Sequence, residues 1–344
     1  MTDILIRKTG RAGRITLNRP QALNALTWDM CNAIEAALDA WRSDDAVQLV
    51  VIDAAGDRAF CSGGDIAEMY RRGRAGDFEF GRRFWSEEYR LNAKVAEFPK
   101  PYIAFMQGYT MGGGVGVSCH GSHRIVGTTT RVAMPECAIG IIPDVGGTLI
   151  LSRAPRCLGN YIGTTGYRMG PGDAILAGFA DMFIPEDHWP DLIVHLETGG
   201  DPACIDEAAR TAPAAPLADR GGWIEGHFKH ATMAEVMRSL DRDRSEISAT
   251  TRKALSMGSP LAVACAHEAI ARVRGATSIR RALELEYRFS YRAMEESDFL
   301  EGIRAAIIDK DRRPNWRHGT LDEVTEAEVA HMLMPLGANR LMLD

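Results

Sequence analysis

The chain has 344 residues, a formal net charge of -6, 46% hydrophobic and 25% charged residues. These proportions are those of a soluble globular protein with a full core, long for one minimal domain. The acidic balance argues against nucleic acid or an anionic membrane surface as the main partner. No apolar run approaches the ~20 residues that cross a bilayer.

The first elements read as a hairpin: Ile4 to Lys8 and Arg14 to Leu17 alternate around Thr9-Gly10-Arg11-Ala12-Gly13. Thr27 is placed to cap a helix with Met30, Ile34, Ala37, Leu38 and Trp41 on one face. Leu49-Val50-Val51-Ile52 is a short β-branched run, the mark of a strand buried on both faces. Phe78 to Glu97 is a helix closed before Pro99 and Pro101, and Tyr102 to Met106 is a second buried strand. Helical character is expected from Val115 to His120, short strands at Arg124 to Val126 and Arg131 to Ala133, and a helix from Gly146 to Ser152. Strands alternating with helices predict an α/β fold with a largely parallel sheet. Turn clusters follow at Thr198 to Pro202 and Ala212 to Pro216. From about Met233 the pattern is helical, with Ser259-Pro260 starting one helix and Ile279 to Glu295 forming another. The expected division is a core over residues 1–197 and a helical region over 198–344.

The seven cysteines are an odd number without a Cys-x-x-Cys pair, as expected of reduced thiols. The N-terminus enters its strand pattern at once (Ile4-Leu5-Ile6) without a signal or transit composition, so a cytoplasmic location is expected.

Chemistry concentrates in two backbone-rich loops and two carboxylates. The loops are Cys61-Ser62-Gly63-Gly64-Asp65-Ile66 and Met111-Gly112-Gly113-Gly114-Val115-Gly116. A strand that ends in adjacent glycines and opens a helix presents bare N–H groups, which suit an oxyanion. The carboxylates are Glu136, after Pro135, and Asp144, before Val145-Gly146-Gly147. Apolar neighbours around Glu136 would raise its basicity by desolvation. The competing reading for each acid is a helix cap or a salt bridge.

Other chemistries fit poorly. A dinucleotide fingerprint fails at Val117, and Gly116-Val117-Ser118 is not a nucleophile elbow because His120 stands at its closing position. His120 with His123, and His227 with His230, lack the spacing and acidic partners of a metal site, so no metal is expected. The basic run Arg71-Arg72-Gly73-Arg74, with Arg82-Arg83, reads better as a solvated helix end than as a phosphate pocket.

Asn18-Arg19-Pro20, Asn24-Ala25-Leu26, Phe60 to Ile66, Lys100-Pro101, Gly108, the triple glycine and Pro135-Glu136 together resemble the crotonase, or enoyl-CoA hydratase/isomerase, superfamily. The resemblance implies a crotonase-like ββα-spiral core with a helical C-terminal portion, binding a small-molecule acyl-CoA. The oxyanion hole would be the N–H groups of Gly64 and Gly113. CoA would lie along Cys61, Ser62, Gly63, Asp65 and Ile66, with backbone groups around Ser62 and Asp65 cradling its adenine. Glu87-Glu88-Tyr89, Ala133-Met134-Pro135-Glu136, Ile139 to Gly147, Glu286-Tyr287-Arg288, Phe299, Glu301-Gly302, Arg304-Ala305 and Ile308 to Asp311 are most similar to the 3-hydroxyisobutyryl-CoA hydrolase branch. That branch implies thioester hydrolysis in valine catabolism, with Glu136 and Asp144 catalytic and Glu88 touching the substrate. It implies no cofactor, since coenzyme A is part of the substrate. Hydratases of this fold usually carry a glutamate two residues after the triple glycine, where this chain has Gly116. An enoyl-CoA hydratase or isomerase, and a non-catalytic acyl-CoA-binding member, are the alternatives. The superfamily often forms trimers and hexamers, so a homo-oligomer is an open expectation.

Overall fold

A computed structural model describes residues 2–343. The chain forms two compact units, each assembled from separate stretches. One comprises Met1–Asp65, Glu87–Ala133 and Arg168–Ala218; the other comprises Ile66–Ser86, Met134–Tyr167 and Asp219–Asp344. The expected division at residue 197 cuts the chain elsewhere, because residues 134–167 cluster with the C-terminal helices.

The first unit holds the strands. β1 (Ile4–Thr9) and β2 (Ala12–Leu17) pair antiparallel, with Thr9 facing Ala12, so the turn is Gly10-Arg11 and tighter than the alternation suggested. Thr27 accepts the Met30 N–H and caps α1 (Trp28–Trp41), as its position predicted. The chain then winds through three similar turns. β3 (Leu49–Ala54) is followed by β4 (Ala59–Cys61), then by α2 (Ala67–Arg74) and α3 (Phe78–Ala96). β5 (Tyr102–Met106) is followed by β6 (Tyr109–Met111) and α4 (Gly113–Ser118). β7 (His123–Val126) is followed by β8 (Arg131–Ala133), and β9 (Met182–Phe183) comes later.

In each turn the first strand joins a six-stranded sheet ordered β1-β2-β3-β5-β7-β9, and the second joins a three-stranded sheet ordered β4-β6-β8. β3, β5 and β7 are mutually parallel, as are β4, β6 and β8. This is the ββα spiral that the resemblance implied. Leu49, Val51, Ile103, Phe105 and Ile125 form one core with Trp189, Leu192 and Leu196 of the helix Trp189–Gly199. Fully burying each such side chain stabilises the fold by about 1.5–3 kcal/mol.

One boundary differs from expectation in a way that matters. α4 begins at Gly113, not Val115, so two of the three glycines lie inside its first turn. Glycine is a poor helix former, and tertiary packing overrides that preference here.

The second unit is helical in its C-terminal stretch. Ser259 caps the helix Pro260–Val273, with proline in its first turn, and a long helix runs over Ile279–Glu296. Residues 134–146 are irregular apart from one 3-10 turn, Glu136–Ile139.

Gly108 turns the chain from β5 into β6 with φ +56°, and a Cβ there would lie 2.2 Å from the Arg58 carbonyl oxygen. Gly108→Ala should therefore destabilise the protein by at least about 1–2 kcal/mol from left-handed strain alone. The check is urea denaturation, and an unchanged midpoint would contradict this account of the corner.

Candidate active site

Two loops meet in the first unit. A Cβ built on Gly113 would lie 3.4 Å from the Gly64 nitrogen, 3.3 Å from Leu26 Cδ1 and 2.9 Å from Glu88 Oε1. Gly64, Gly113 and Glu88, three of the residues expected at the site, are thus gathered at one point. The Gly64 and Gly113 N–H groups have no acceptor among the described residues. For Gly113 this follows from its place at the first position of a helix, where no carbonyl precedes it within reach. Two N–H donors side by side, one at a helix start, form a receptor for an oxygen that gains negative charge.

Neighbouring N–H groups are engaged. Ser62 N–H donates to the Leu23 carbonyl (3.0 Å), Leu26 N–H to the Gly63 carbonyl (2.9 Å) and Asp65 N–H to the Leu26 carbonyl (2.8 Å). The Ser62 and Asp65 N–H groups are thus committed within the chain. The strap that commits them is residues 18–26. Leu23 and Asn24 are left-handed, at φ 51° and 54°. The Asn24 amide donates to the carbonyls of Ala55 (2.9 Å) and Ala59 (2.8 Å) and accepts from the Arg19 N–H (2.8 Å). Arg19 reaches the Ala25 carbonyl (2.7 Å) and Asp65 (3.2 Å). Asn18-Arg19-Pro20 and Asn24-Ala25-Leu26 stood in the sequence only as marks of resemblance; their physical work is to fix the Gly64 loop.

Glu88 lies on α3, buried. Cys61 is buried near it. Burial pushes the Cys61 thiol up to about 12, and the Glu88 charge adds to the shift. Cys31 is raised in the same way, by burial first and Glu88 second. Both sulfurs are therefore neutral thiols at pH 7, without nucleophilic character.

The remaining carboxylates belong to the second unit. Glu136 opens the 3-10 turn after Pro135 and is buried, as is Asp144. The segment carrying them is fastened by side chains and backbone from the C-terminal helices. The Cys137 carbonyl accepts the Ser259 N–H (2.9 Å), and the Gly140 carbonyl accepts the Ser297 hydroxyl (3.1 Å). Gly302 packs so closely that a Cβ on it would lie 2.3 Å from the Ile139 carbonyl oxygen. Past Asp144, Glu286 accepts the N–H groups of Gly146 (2.8 Å) and Thr148 (3.0 Å) and the Thr148 hydroxyl. Glu286 is fully buried, and burial pushes its carboxyl up to about 8; the Asp144 charge adds to this, while the Thr148 and Gly146 hydrogen bonds oppose it. Its tie to the Asp144 loop is invisible in the sequence, where Glu286 stands only as a mark of resemblance.

Other sequence features take structural roles. The Ser118 hydroxyl is buried and donates to the Gly114 carbonyl (2.6 Å), a helical back-bond rather than a nucleophile. His227 pairs with Asp243 (3.4 Å) and Ser239 (2.8 Å). No cluster of three metal-ligating side chains occurs among the described residues. Arg71 and Arg72 pair with Glu68, Arg72 also with Asp77 (3.4 Å), and Arg82 pairs with Glu295 (3.0 Å). No helix among the described residues is long and apolar enough to cross a membrane.

A ββα spiral with paired N–H donors between its glycine loops defines the crotonase class. The model of the enoyl-CoA hydratase/isomerase family matches residues 12–333, and the chain belongs to that family. The mitochondrial 3-hydroxyisobutyryl-CoA hydrolase of Gallus gallus is 36% identical over 99% of this chain and 91% of its own length. The Homo sapiens protein of that name is 35% identical, over 98% of this chain and 90% of its own. Their mitochondrial location differs from the cytoplasmic one expected here, and it is a property of those proteins. Among solved structures, an enoyl-CoA hydratase from Rhodobacter sphaeroides 2.4.1 is 56% identical with a TM-score of 0.96, covering 99% of this chain and 100% of that one. A carnitinyl-CoA dehydratase from Mycobacterium thermoresistibile is 39% identical with a TM-score of 0.95, covering 100% and 99%.

The raised thiols generate an expectation. In the native protein at pH 8, iodoacetamide should leave Cys61 unmodified, and mass spectrometry should find it alkylated only after denaturation. Rapid labelling of the native chain at Cys61 would show an accessible thiolate beside the glycine loops and reopen cysteine chemistry.

Proposed function

We propose that this chain is an acyl-CoA thioester hydrolase whose substrate is 3-hydroxyisobutyryl-CoA, with 3-hydroxypropionyl-CoA a close second, and that it serves valine breakdown. The observation that carries the reading is the pair of uncommitted N–H groups at Gly64 and Gly113, 3.4 Å from nitrogen to built Cβ. The name borne by the curated relatives, at about the same identity over nearly their full length, supports the choice within the family.

The thioester carbonyl oxygen binds the two N–H groups, which hold its growing negative charge in the tetrahedral intermediate. Losing one such donor costs about 2.7–4 kcal/mol of barrier. Glu136 works by one of two routes. As a base it takes a proton from water, whose oxygen attacks the carbonyl carbon. As a nucleophile it forms a mixed anhydride that water then opens. In both, the carbon–sulfur bond breaks, and the products are the free acid and CoA thiol. Asp144 holds the 3-hydroxyl and passes a proton toward the departing sulfur. Glu88 touches the acyl end, and the Cys61 to Ile66 loop lies against CoA. A CoA thiolate is a good leaving group, so the route uses neither a metal nor an organic cofactor. A buried carboxylate facing a hydroxyl favours hydroxylated acyl groups, since an unmatched buried charge is costly. The two named substrates differ by one methyl, worth only about 1–3 kcal/mol in a pocket.

The second reading is hydration of an enoyl-CoA, favoured by the name of the 56% identical Rhodobacter structure. Against it stands Gly116, buried within α4, where hydratases of this fold usually carry a second glutamate.

The deciding assay is thiol release from 3-hydroxyisobutyryl-CoA run beside hydration of crotonyl-CoA. Thiol release with no loss of the enoyl absorbance is expected. Absorbance loss without thiol would establish the hydratase instead. Glu136→Gln should nearly abolish turnover while CoA-ester binding survives, and a fully active variant would sink the role given to Glu136. Asp144→Asn should slow 3-hydroxyacyl-CoA hydrolysis more than isobutyryl-CoA hydrolysis; equal losses would place Asp144 on the thioester rather than on the hydroxyl.

A further inference from the structure

We propose that Glu286 is a positioning residue that holds the Asp144 loop in its working conformation, an inference that rests on the catalytic role given to Asp144. Glu286 projects from the helix Ile279–Glu296 and is fully buried. Its two oxygens are used on one short stretch of chain. Oε2 accepts the Gly146 N–H at 2.8 Å, and Oε1 accepts the Thr148 N–H at 3.0 Å together with the Thr148 hydroxyl. These donors lie two and four residues beyond Asp144.

The stretch needs holding. Val145 is left-handed at φ +53°, which a β-branched residue rarely adopts, and Gly146 follows at φ +79°. The Gly147 N–H donates to the Asp144 carbonyl at 2.7 Å and closes the turn, and α5 (Gly147–Arg153) starts there. Relaxing Val145 to an ordinary conformation would redirect the Asp144 side chain. That relaxation moves Gly146 and so breaks the hydrogen bonds to Glu286.

A carboxylate is an expensive choice for this post. All three donors are neutral, and the charge of Asp144 disfavours a second negative charge nearby. An apolar side chain would avoid that cost but leave the loop donors unsatisfied, and a glutamine would fix two hydrogens on one arm where the carboxyl, pushed up to about 8, holds at most one and can release it. The two acceptor oxygens on one rigid side chain fit the two ends of the turn, and this fit is what the residue supplies.

The test is a double-mutant cycle on thiol release from 3-hydroxyisobutyryl-CoA, with kcat and KM measured separately. Glu286→Gln should lower kcat on the order of 10²-fold, as misplacement of a catalytic group does, with KM changed far less. In an Asp144→Asn background the same substitution should add little. Equal losses in both backgrounds would overturn the proposal, since Glu286 would then act on the fold at large. A silent Asp144→Asn alone would overturn the role of Asp144 and with it this inference, a different failure read from a different variant. Should Glu286→Gln not fold, Thr148→Val removes a single hydroxyl donor. It should show the same pattern, a smaller kcat loss that disappears in the Asp144→Asn background. A Thr148→Val loss that persists there would equally overturn the proposal.

Discussion

Two N–H groups kept without an acceptor are the constraint on which the first unit turns. Protein donors shielded from water are nearly always bonded, because leaving one unsatisfied costs about 1–3 kcal/mol. Gly113 is buried and Gly64 half-buried, and rigid surroundings hold the two loops in place around their N–H groups. Leu26 bridges the residues on either side of Gly64, taking the Gly63 carbonyl and the Asp65 N–H. Asn24 fixes the strap to the residues that flank β4. Gly113 is uncommitted for a different reason, its position at the head of a helix. Gly113 cannot be replaced without filling the space between the loops, since a Cβ on it would lie 2.9 Å from Glu88 Oε1.

The second unit solves a different problem with different means. The segment from Met134 to Gly146 carries two buried acids with almost no regular structure to define it. Its shape is set by what the later helices present: the Ser259 N–H, the Ser297 hydroxyl, the bare Gly302 and the Glu286 carboxylate. Helices that look like an appendage in the sequence are therefore the support of the carboxylates. This accounts for why Glu286 and Gly302 belong to the same sequence pattern as the glycine loops.

Local signals are legible in the residues themselves. The strand Tyr102–Met106 matches the β-branched and aromatic run residue for residue, and Thr27 caps its helix as its side chain predicts. The glycine loops are legible because glycine is costly in regular structure and therefore informative where it clusters. What escapes a reading of the sequence depends on distant pairing. Asn24 is only a mark of resemblance until Ala55 and Ala59 are seen beside it, and Glu286 lies 140 residues from Gly146. The start of α4 escapes because propensity argues against a helix opening on Gly113-Gly114, and close packing on Cys61 decides otherwise. The roles of Glu136 and Asp144 stay readings of chemistry, since their burial is visible but their substrate is not.

The relatives show why the fold alone does not choose a reaction. A structure named as a hydratase is 56% identical and superposes with a TM-score of 0.96, while proteins named as hydrolases are about 36% identical. Identity over a whole chain follows the spiral and its core, which both chemistries share. The two reactions part at the proton. Hydration must deliver one to carbon, which calls for a second positioned acid. Thioester hydrolysis expels a thiolate, a good leaving group, and delivers its proton to sulfur rather than to carbon. In this chain the position inside α4 holds Gly116, and the buried carboxylate Asp144 stands on a strained loop fastened by Glu286.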